Sequence, residues 1–339
     1  MNGTGDLQLG LMLGYWAAQP RDDVPLAQEA ERLGFDSVWT AEAYGSDAAT
    51  PLAWIGAHTS RIKLGTGLIQ LSARTPAMTA MTAVTLDHLT EGRLILGLGV
   101  SGPQVVEGWY GQPFPKPLAR TREYVQILRD IWLREGPVSS DGDHYPLPYP
   151  GGAELGKPLK ITTHPRRADI PIYLGAEGPK NVALAAEIAD GWLPIFISPE
   201  RFDTMYGAPL ADTPAGFDIC APVQVIVDDD VDQALLPIKW MLGFYIGGMG
   251  AEKANFHKDV IGRAGFADAA AEVQQRFLDG DRDGAVKAVP DELADEIALC
   301  GPPDRIRERL QRWVDSPVTT VLVMTREPAT MQVLADALA

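Results

Sequence analysis

Short apolar runs alternate with longer stretches of helical spacing along the first two-thirds of the chain, the rhythm of a parallel sheet covered by helices. Runs at 7–13, 35–40, 62–68 and 93–98 predict four strands. Between and after them, 23–33, 48–59, 77–89 and 118–133 predict helices. Ala27, Ala30 and Leu33 share one face of the first helix, which Gly34 stops. Tyr124, Ile127, Leu128 and Ile131 share one face of the last. Four βα units therefore follow one another.

The rhythm fails over 134–169, where Pro137, Pro146, Pro148, Pro150, Pro158 and Pro165 mark a long loop excursion of the kind that serves as a lid or binding loop. It resumes with strands at 171–175 and 191–195, a helix at 179–188 between them, and a helix near 200–206. A seventh strand is expected at 217–227. Residues 232–314 read as overwhelmingly helical and too long for one crossover, so a helical insertion is expected before an eighth strand at 319–324 and a last helix at 331–338. Eight such strands predict a single α/β domain over 1–339, a closed (β/α)8 TIM barrel rather than an open doubly wound sheet.

Composition narrows the function. Apolar residues at 46% and charged ones at 22% can build a large buried core, which excludes disorder. A formal charge of −16 with no lysine or arginine block argues against a nucleic-acid partner. Any bound phosphate must be met by backbone dipoles and a few placed cations. Cys220 and Cys300 stand far apart, which predicts neither a disulfide framework nor a zinc site. The five histidines show no metal-ligand spacing, and the acidic run at 228–230 reads as a helix cap rather than a calcium loop. Residues 1–14 lack the pattern of a leader and no run reaches membrane-spanning length, so a cytoplasmic protein with no membrane partner is expected.

Gly97-Leu98-Gly99-Val100-Ser101-Gly102 satisfies G-x-G-x-x-G after a strand, but sits in the fourth unit. Pro103 follows it, and no helix is expected to open at its third glycine, as a dinucleotide fingerprint would need. The glycines are read instead as a strand end that lets a ligand approach the backbone.

Barrel active sites lie at the C-terminal ends of strands. Tyr15 and Trp16 follow the first strand, Glu42 and Tyr44 the second, Gln70 and Ser72 the third, and Ser101, Gly102 and Gln104 the fourth. Aromatics and uncharged polar groups at one mouth suit a flat heterocycle better than a sugar or a metal. Gly175-Ala176-Glu177-Gly178-Pro179-Lys180-Asn181 leads into a helix whose free N–H groups could hold a phosphate; a plain turn with proline at the first helical position fits equally.

Four segments carry a resemblance: Leu33-Gly34-Phe35-Asp36-Ser37-Val38-Trp39, Arg61-Ile62-Lys63-Leu64-Gly65-Thr66-Gly67, Glu91-Gly92-Arg93-Leu94-Ile95-Leu96-Gly97-Leu98-Gly99 and Ile172-Tyr173-Leu174-Gly175-Ala176-Glu177-Gly178-Pro179. Jointly they are similar to the luciferase-like flavin and deazaflavin oxidoreductases. The likeness is strongest to the group that uses coenzyme F420, which includes glucose-6-phosphate dehydrogenases, secondary-alcohol dehydrogenases and methylenetetrahydromethanopterin reductases.

The resemblance implies a cis peptide at Gly67-Leu68 behind a tricyclic ring. It implies ring contacts from Glu42 and Gln70, and contacts to the cofactor's side chain and phosphate from Val100, Ser101, Gly102, Ala176, Glu177 and Gly178. Two positions depart from the sugar-phosphate enzymes: their histidine after the acid is Ala43 here, and their glutamate after the fourth strand is Gly102. The expected function is hydride transfer between F420 and a small organic substrate, as a reductase. Glu42 contacts the cofactor and relays a proton, while Tyr15, Trp16, Tyr44, Trp109 and Tyr110 shape the substrate side. The competing readings are a two-component FMN monooxygenase on the same barrel and a catalytically silent flavin-binding barrel. A homodimer is the candidate assembly.

Overall fold

The computed structural model describes residues 7–249 and 255–339. Residues 1–6, part of the stretch read for a leader, and 250–254, inside the expected helical insertion, lie outside the described residues. The strands are β1 (Gln8–Gly14), β2 (Ser37–Thr40), β3 (Lys63–Thr66), β4 (Ile69–Gln70), β5 (Leu94–Gly99), β6 (Ile172–Gly175), β7 (Gly191–Leu193), β8 (Asp218–Val227), β9 (Ala298–Gly301) and β10 (Thr320–Met324). Parallel pairing runs β10-β1-β2-β3-β5-β6-β7-β8, and β8 pairs again with β10 from Cys220 opposite Thr320 to Gln224 opposite Met324. Eight parallel strands thus close a TIM barrel, as the alternation predicts.

Strands covered on both faces need near-continuous apolar sequence, and β5, Leu-Ile-Leu-Gly-Leu-Gly, is buried along its whole length. Inside the cylinder Trp39, Ile95, Tyr173, Leu193, Cys220 and Leu322 form one cluster, with Met12 and Leu68 packed on it toward the mouth. Trp39 fits because its neighbour is Gly65, where a Cβ would stand 2.2 Å from the indole. Outside, the barrel wall and its helices share a second, larger core.

Three expectations change. The stretch 232–314 carries helices Val231–Gly248, Phe256–Ile261, Ala267–Leu278, Arg282–Lys287, Asp291–Glu296 and Pro303–Val314, but also β9, which extends the sheet alongside the end of β8. Four apolar residues between helices are too few to reveal a strand period. A helix, Pro103–Gly108, does open at the third glycine of the G-x-G-x-x-G stretch, because Pro103 supplies the preset φ of a first helical position. It is six residues long, and Gly97 and Gly99 lie within β5 rather than in a turn. The excursion over 134–169 folds back on itself through antiparallel bridges Val138–Leu159 and Ser140–Leu147, and Arg167 ties its end to buried Asp87 at 2.8 Å. The acidic run caps as expected: Asp230 accepts from the N–H groups of Asp232 and Gln233.

No described helix is long and apolar enough to cross a membrane.

Candidate active site

The loops after β1, β2, β4, β5 and β6 meet at one end of the barrel. After β1, Arg21 donates to the carbonyls of Leu13 and Tyr15, and Trp16 Nε1 donates to Asp23 at 3.3 Å, which fixes the Tyr15-Trp16 turn. The β2 loop lies directly against it. A Cβ at Gly45 would come within 2.4 Å of the Trp16 carbonyl, so only glycine permits the approach. Burial, then the neighbouring Tyr44, raises the Tyr15 hydroxyl above its ordinary pKa.

Glu42 is the hub of the β2 and β4 ends. Its side chain is 4% exposed. Oε1 accepts from the Gln70 N–H at 2.9 Å and from Arg74 Nη1 at 2.6 Å, and Oε2 from the Ala48 N–H at 3.2 Å. The Gln70 amide in turn donates to the carbonyls of Glu42 and Ala43, and the Tyr110 hydroxyl also donates to Ala43. Both carboxylate oxygens are therefore engaged from within the protein. The arrangement fastens the β2 loop to the β4 end.

Between β3 and β4 the Gly67–Leu68 peptide is cis, as the resemblance implies. The Leu68 side chain fills space left by two glycines: a Cβ at Gly99 would stand 2.3 Å from it and one at Gly175 2.6 Å. Gly97 is more constrained still. Its Cβ would overlap the Thr66 carbonyl at 1.8 Å, and Thr66 Oγ1 clasps both the N–H and the C=O of Gly97. Gly102 and Gly178, by contrast, face open space, and a Cβ at Gly102 meets only Gln104 Oε1 at 3.4 Å. Ser101, between β5 and Gly102 in the chain, has φ +60°, a left-handed conformation rare outside glycine. The first two glycines of the motif pack the barrel, and only the third exposes backbone at the mouth.

After β6, the Ala176 carbonyl accepts from Trp192 Nε1 at 2.9 Å, and Gly178 caps the ten-residue helix Pro179–Ile188. Glu177 between them meets the insertion. Arg263 Nη2 donates to its carbonyl at 2.6 Å, and His257 Nδ1 lies 3.0 Å from its carboxylate, in ion-pair range but off the line of a hydrogen bond. Tyr245 packs edge-on against His257 and Phe196, with ring centroids 4.9 and 5.2 Å away. Burial raises the Tyr245 hydroxyl above its ordinary pKa, and Tyr15, Glu177 and Tyr44 add to the shift, which sets the insertion helix over the same mouth.

The structure thus groups Tyr15, Trp16, Glu42, Gln70 and Tyr110 on the β1–β4 side, and Ala176, Glu177 and Gly178 on the β6 side. Val100, Ser101 and Gly102 lie between the two groups. Tyr44 is 55% exposed, and Trp109 stands 66% exposed at the end of the short helix rather than in a wall. Sequence reasoning did not single out Arg74, Tyr245, His257 or Arg263. Arg74 had one available signal, as a lone cation shortly after the third strand. The other three come from a segment far along the chain whose place over the mouth no local pattern encodes.

A family model described as luciferase-like monooxygenase matches residues 7–320. A Mycobacterium tuberculosis protein provisionally named a coenzyme F420-dependent oxidoreductase is 56% identical over 328 residues, covering 94% of both chains. A 5,10-methylenetetrahydromethanopterin reductase of Archaeoglobus fulgidus is 32% identical over 307 residues, covering 86% of each. Among solved structures, the coenzyme F420-dependent tetrahydromethanopterin reductase of Methanopyrus kandleri superposes with a TM-score of 0.79 at 24% identity over 98% of both chains, a likeness of fold.

Proposed function

The chain belongs to the luciferase-like monooxygenase family, and from that premise we propose that it is an oxidoreductase that uses coenzyme F420 to reduce a small organic molecule. The observation that carries the cofactor class is Gln70 Oε1, a buried acceptor at the mouth that has no hydrogen-bond partner. Buried acceptors are almost always paired, so an unpaired one at the barrel mouth calls for a donor from a ligand. A ring N–H of a flat heterocycle supplies it. The 56% identical relative supports F420 over other tricycles.

Leu68 would back one face of the ring, and Gln70 would fix its polar edge. Glu42 and Arg74 act one step away, by clamping the loop that carries Gln70. On the β6 side the backbone N–H groups of Ala176, Glu177 and Gly178 and the turn Val100-Ser101-Gly102 would face the cofactor's side chain and phosphate, while the Glu177 side chain turns away from them to His257. Bound there, the deazaflavin would supply the hydride. The protein supplies orientation, exclusion of water and a proton. Ala43 stands where sugar-phosphate enzymes carry a histidine, and the 32% identical relative is a named reductase, which supports the reducing direction. Tyr15, Trp16, Tyr44 and Tyr110 form the aromatic substrate side, with Trp109 at its outer edge.

Titration of the purified protein with oxidised F420 and with FMN, followed by ring fluorescence, tests this reading. Saturable F420 binding with none for FMN is expected. Tighter FMN binding, or oxygen consumption on mixing with reduced FMN, would replace it with the monooxygenase reading. Binding of either ring without turnover over a broad panel of acceptors would leave a silent flavin-binding barrel.

A further inference from the structure

Among the described residues, Glu177 Oε2, Tyr206 Oη, His257 Nδ1 and Arg263 Nε are buried together without a well-aligned hydrogen bond, Glu177 facing His257 at 3.0 Å and Arg263 acting on Tyr206. Buried polar groups are usually held in aligned hydrogen bonds, so a carboxylate and an imidazole left in contact but out of line mark a candidate functional pair. The cluster lies at the end of β6, under the insertion. Phe196 and Tyr245 enclose the His257 ring, whose side chain is 17% exposed. Burial pushes the Tyr206 hydroxyl up to about 12 against the opposing pull of Arg263, so it stays protonated.

Resting on the reading above, we propose that Glu177 and His257 form a carboxylate–imidazole dyad that donates the proton in a hydride reduction, and that the substrate is a conjugated carbonyl compound. Glu177 Oε2 and His257 Nδ1 are already 3.0 Å apart, and a small side-chain rotation brings them into line. Such alignment commonly tightens only when the site fills. Arg263 anchors the carbonyl of Glu177, so the carboxylate is presented from a fixed backbone. A carboxylate on Nδ1–H sets the tautomer and leaves Nε2 as the working nitrogen. Glu177 is then a positioning residue, and His257 supplies the acid absent at Ala43. The walls Tyr15, Tyr44, Tyr245 and Phe196 suit a flat unsaturated molecule.

In the step itself, bound reduced deazaflavin would supply the hydride that forms a C–H bond at the β-carbon. The C=C π pair moves toward the carbonyl as an enolate, which takes the proton from Nε2–H. His257 is left neutral with its proton on Nδ1 and regains the other from water, and the saturated ketone and oxidised cofactor depart.

The test uses the full chain labelled with 15N-histidine, with His257 assigned by its absence from the H257Q spectrum. Neutral His257 is expected as the Nδ1–H tautomer, and E177Q is expected to shift the population toward Nε2–H. An Nε2–H tautomer in the wild type, or one indifferent to E177Q, overturns the dyad. Reduced F420 with cyclohex-2-en-1-one provides the kinetic arm. Turnover should fall by about 10²–10⁴-fold in H257Q with F420 affinity unchanged. Equal single-turnover rates in H257Q and wild type overturn the proton donor, and a wild type that binds reduced F420 but leaves the enone untouched overturns the substrate class. Failure to bind F420 at all refutes the cofactor reading instead, and leaves the tautomer result to judge the dyad by itself.

Discussion

Arg74 Nη1 stands 2.6 Å from Glu42 Oε1, and the Gln70 N–H meets the same oxygen at 2.9 Å. The carboxylate is 4% exposed and the guanidinium 18%, so the first has almost no water to fall back on and the second little. Removing one partner of such a pair strands the other, at a cost of about 3–5 kcal/mol for full burial and less where one partner keeps some solvent. E42Q is therefore expected to lose about 2–3 kcal/mol in urea unfolding. The double variant E42Q/R74M is expected to recover most of that, because an apolar side chain replaces the stranded charge. If E42Q alone unfolds like the wild type while losing all turnover, Glu42 is the proton relay and the clamp is secondary.

The glycines of Gly97-Leu98-Gly99-Val100-Ser101-Gly102 separate into two kinds. A Cβ at Gly97 would overlap backbone at 1.8 Å, while one at Gly102 would meet only the end of a flexible side chain at 3.4 Å. G97A is expected to fail to accumulate as folded protein. G102A should keep the wild-type thermal midpoint and lose F420 affinity, read by fluorescence titration. Unchanged affinity in G102A would remove that turn from the cofactor site.

The contrast also marks how far the sequence could be read. The barrel was legible because parallel strands buried on both faces leave continuous apolar runs, and β5 is the clearest of them. The role of Gly97 was not, since a glycine required by packing and one required by a ligand look alike in a string of letters. The wall at Glu177 was half visible. Its turn follows a strand, but His257 and Arg263 reach it from the insertion, and nothing in local spacing encodes a contact between residues 80 or more apart. β9 escaped for a different reason, its length of four residues.

On the opposite side of the molecule from this chemistry, one carboxylate is expected to show in the acid stability. Burial works against the charge of Glu31, but the N–H groups of Ile62, Arg61 and Ser60, all within 2.9 Å of Oε1, outweigh it and hold the carboxyl at about 2. A folded-state pKa below the unfolded value means stability that is present above about 4.5 and lost as the pH falls toward 2. After discounting for solvent screening, the contribution is about 1–2 kcal/mol. E31Q should therefore unfold more easily than the wild type at pH 7, and the gap should close between pH 4.5 and 2. A gap that persists at pH 2 would show that the side chain acts by shape rather than charge.

The candidate homodimer has one face that suits it. Helices Ala49–Ala57 and Pro76–Leu89 pack side by side, and Trp54, Met78 and Met81 stand about half exposed on their outer surface. The first helix carries no charged residue, and in the second the carboxylate of Asp87 is buried against Arg167. A chain with a net charge of −16 repels its own copies over most of its surface, so self-association is cheapest where charge is missing. An uncharged patch meeting itself about a two-fold axis satisfies that condition on both sides at once. A second copy seated there would cover Trp54, a residue type enriched at the centres of interfaces. Light scattering after gel filtration should give a dimer for the wild type and a monomer for W54E/M81E, with the circular dichroism of the two unchanged. A dimer that survives both charges must use another face, and a wild-type monomer would show that this uncharged patch does not pair with a second copy.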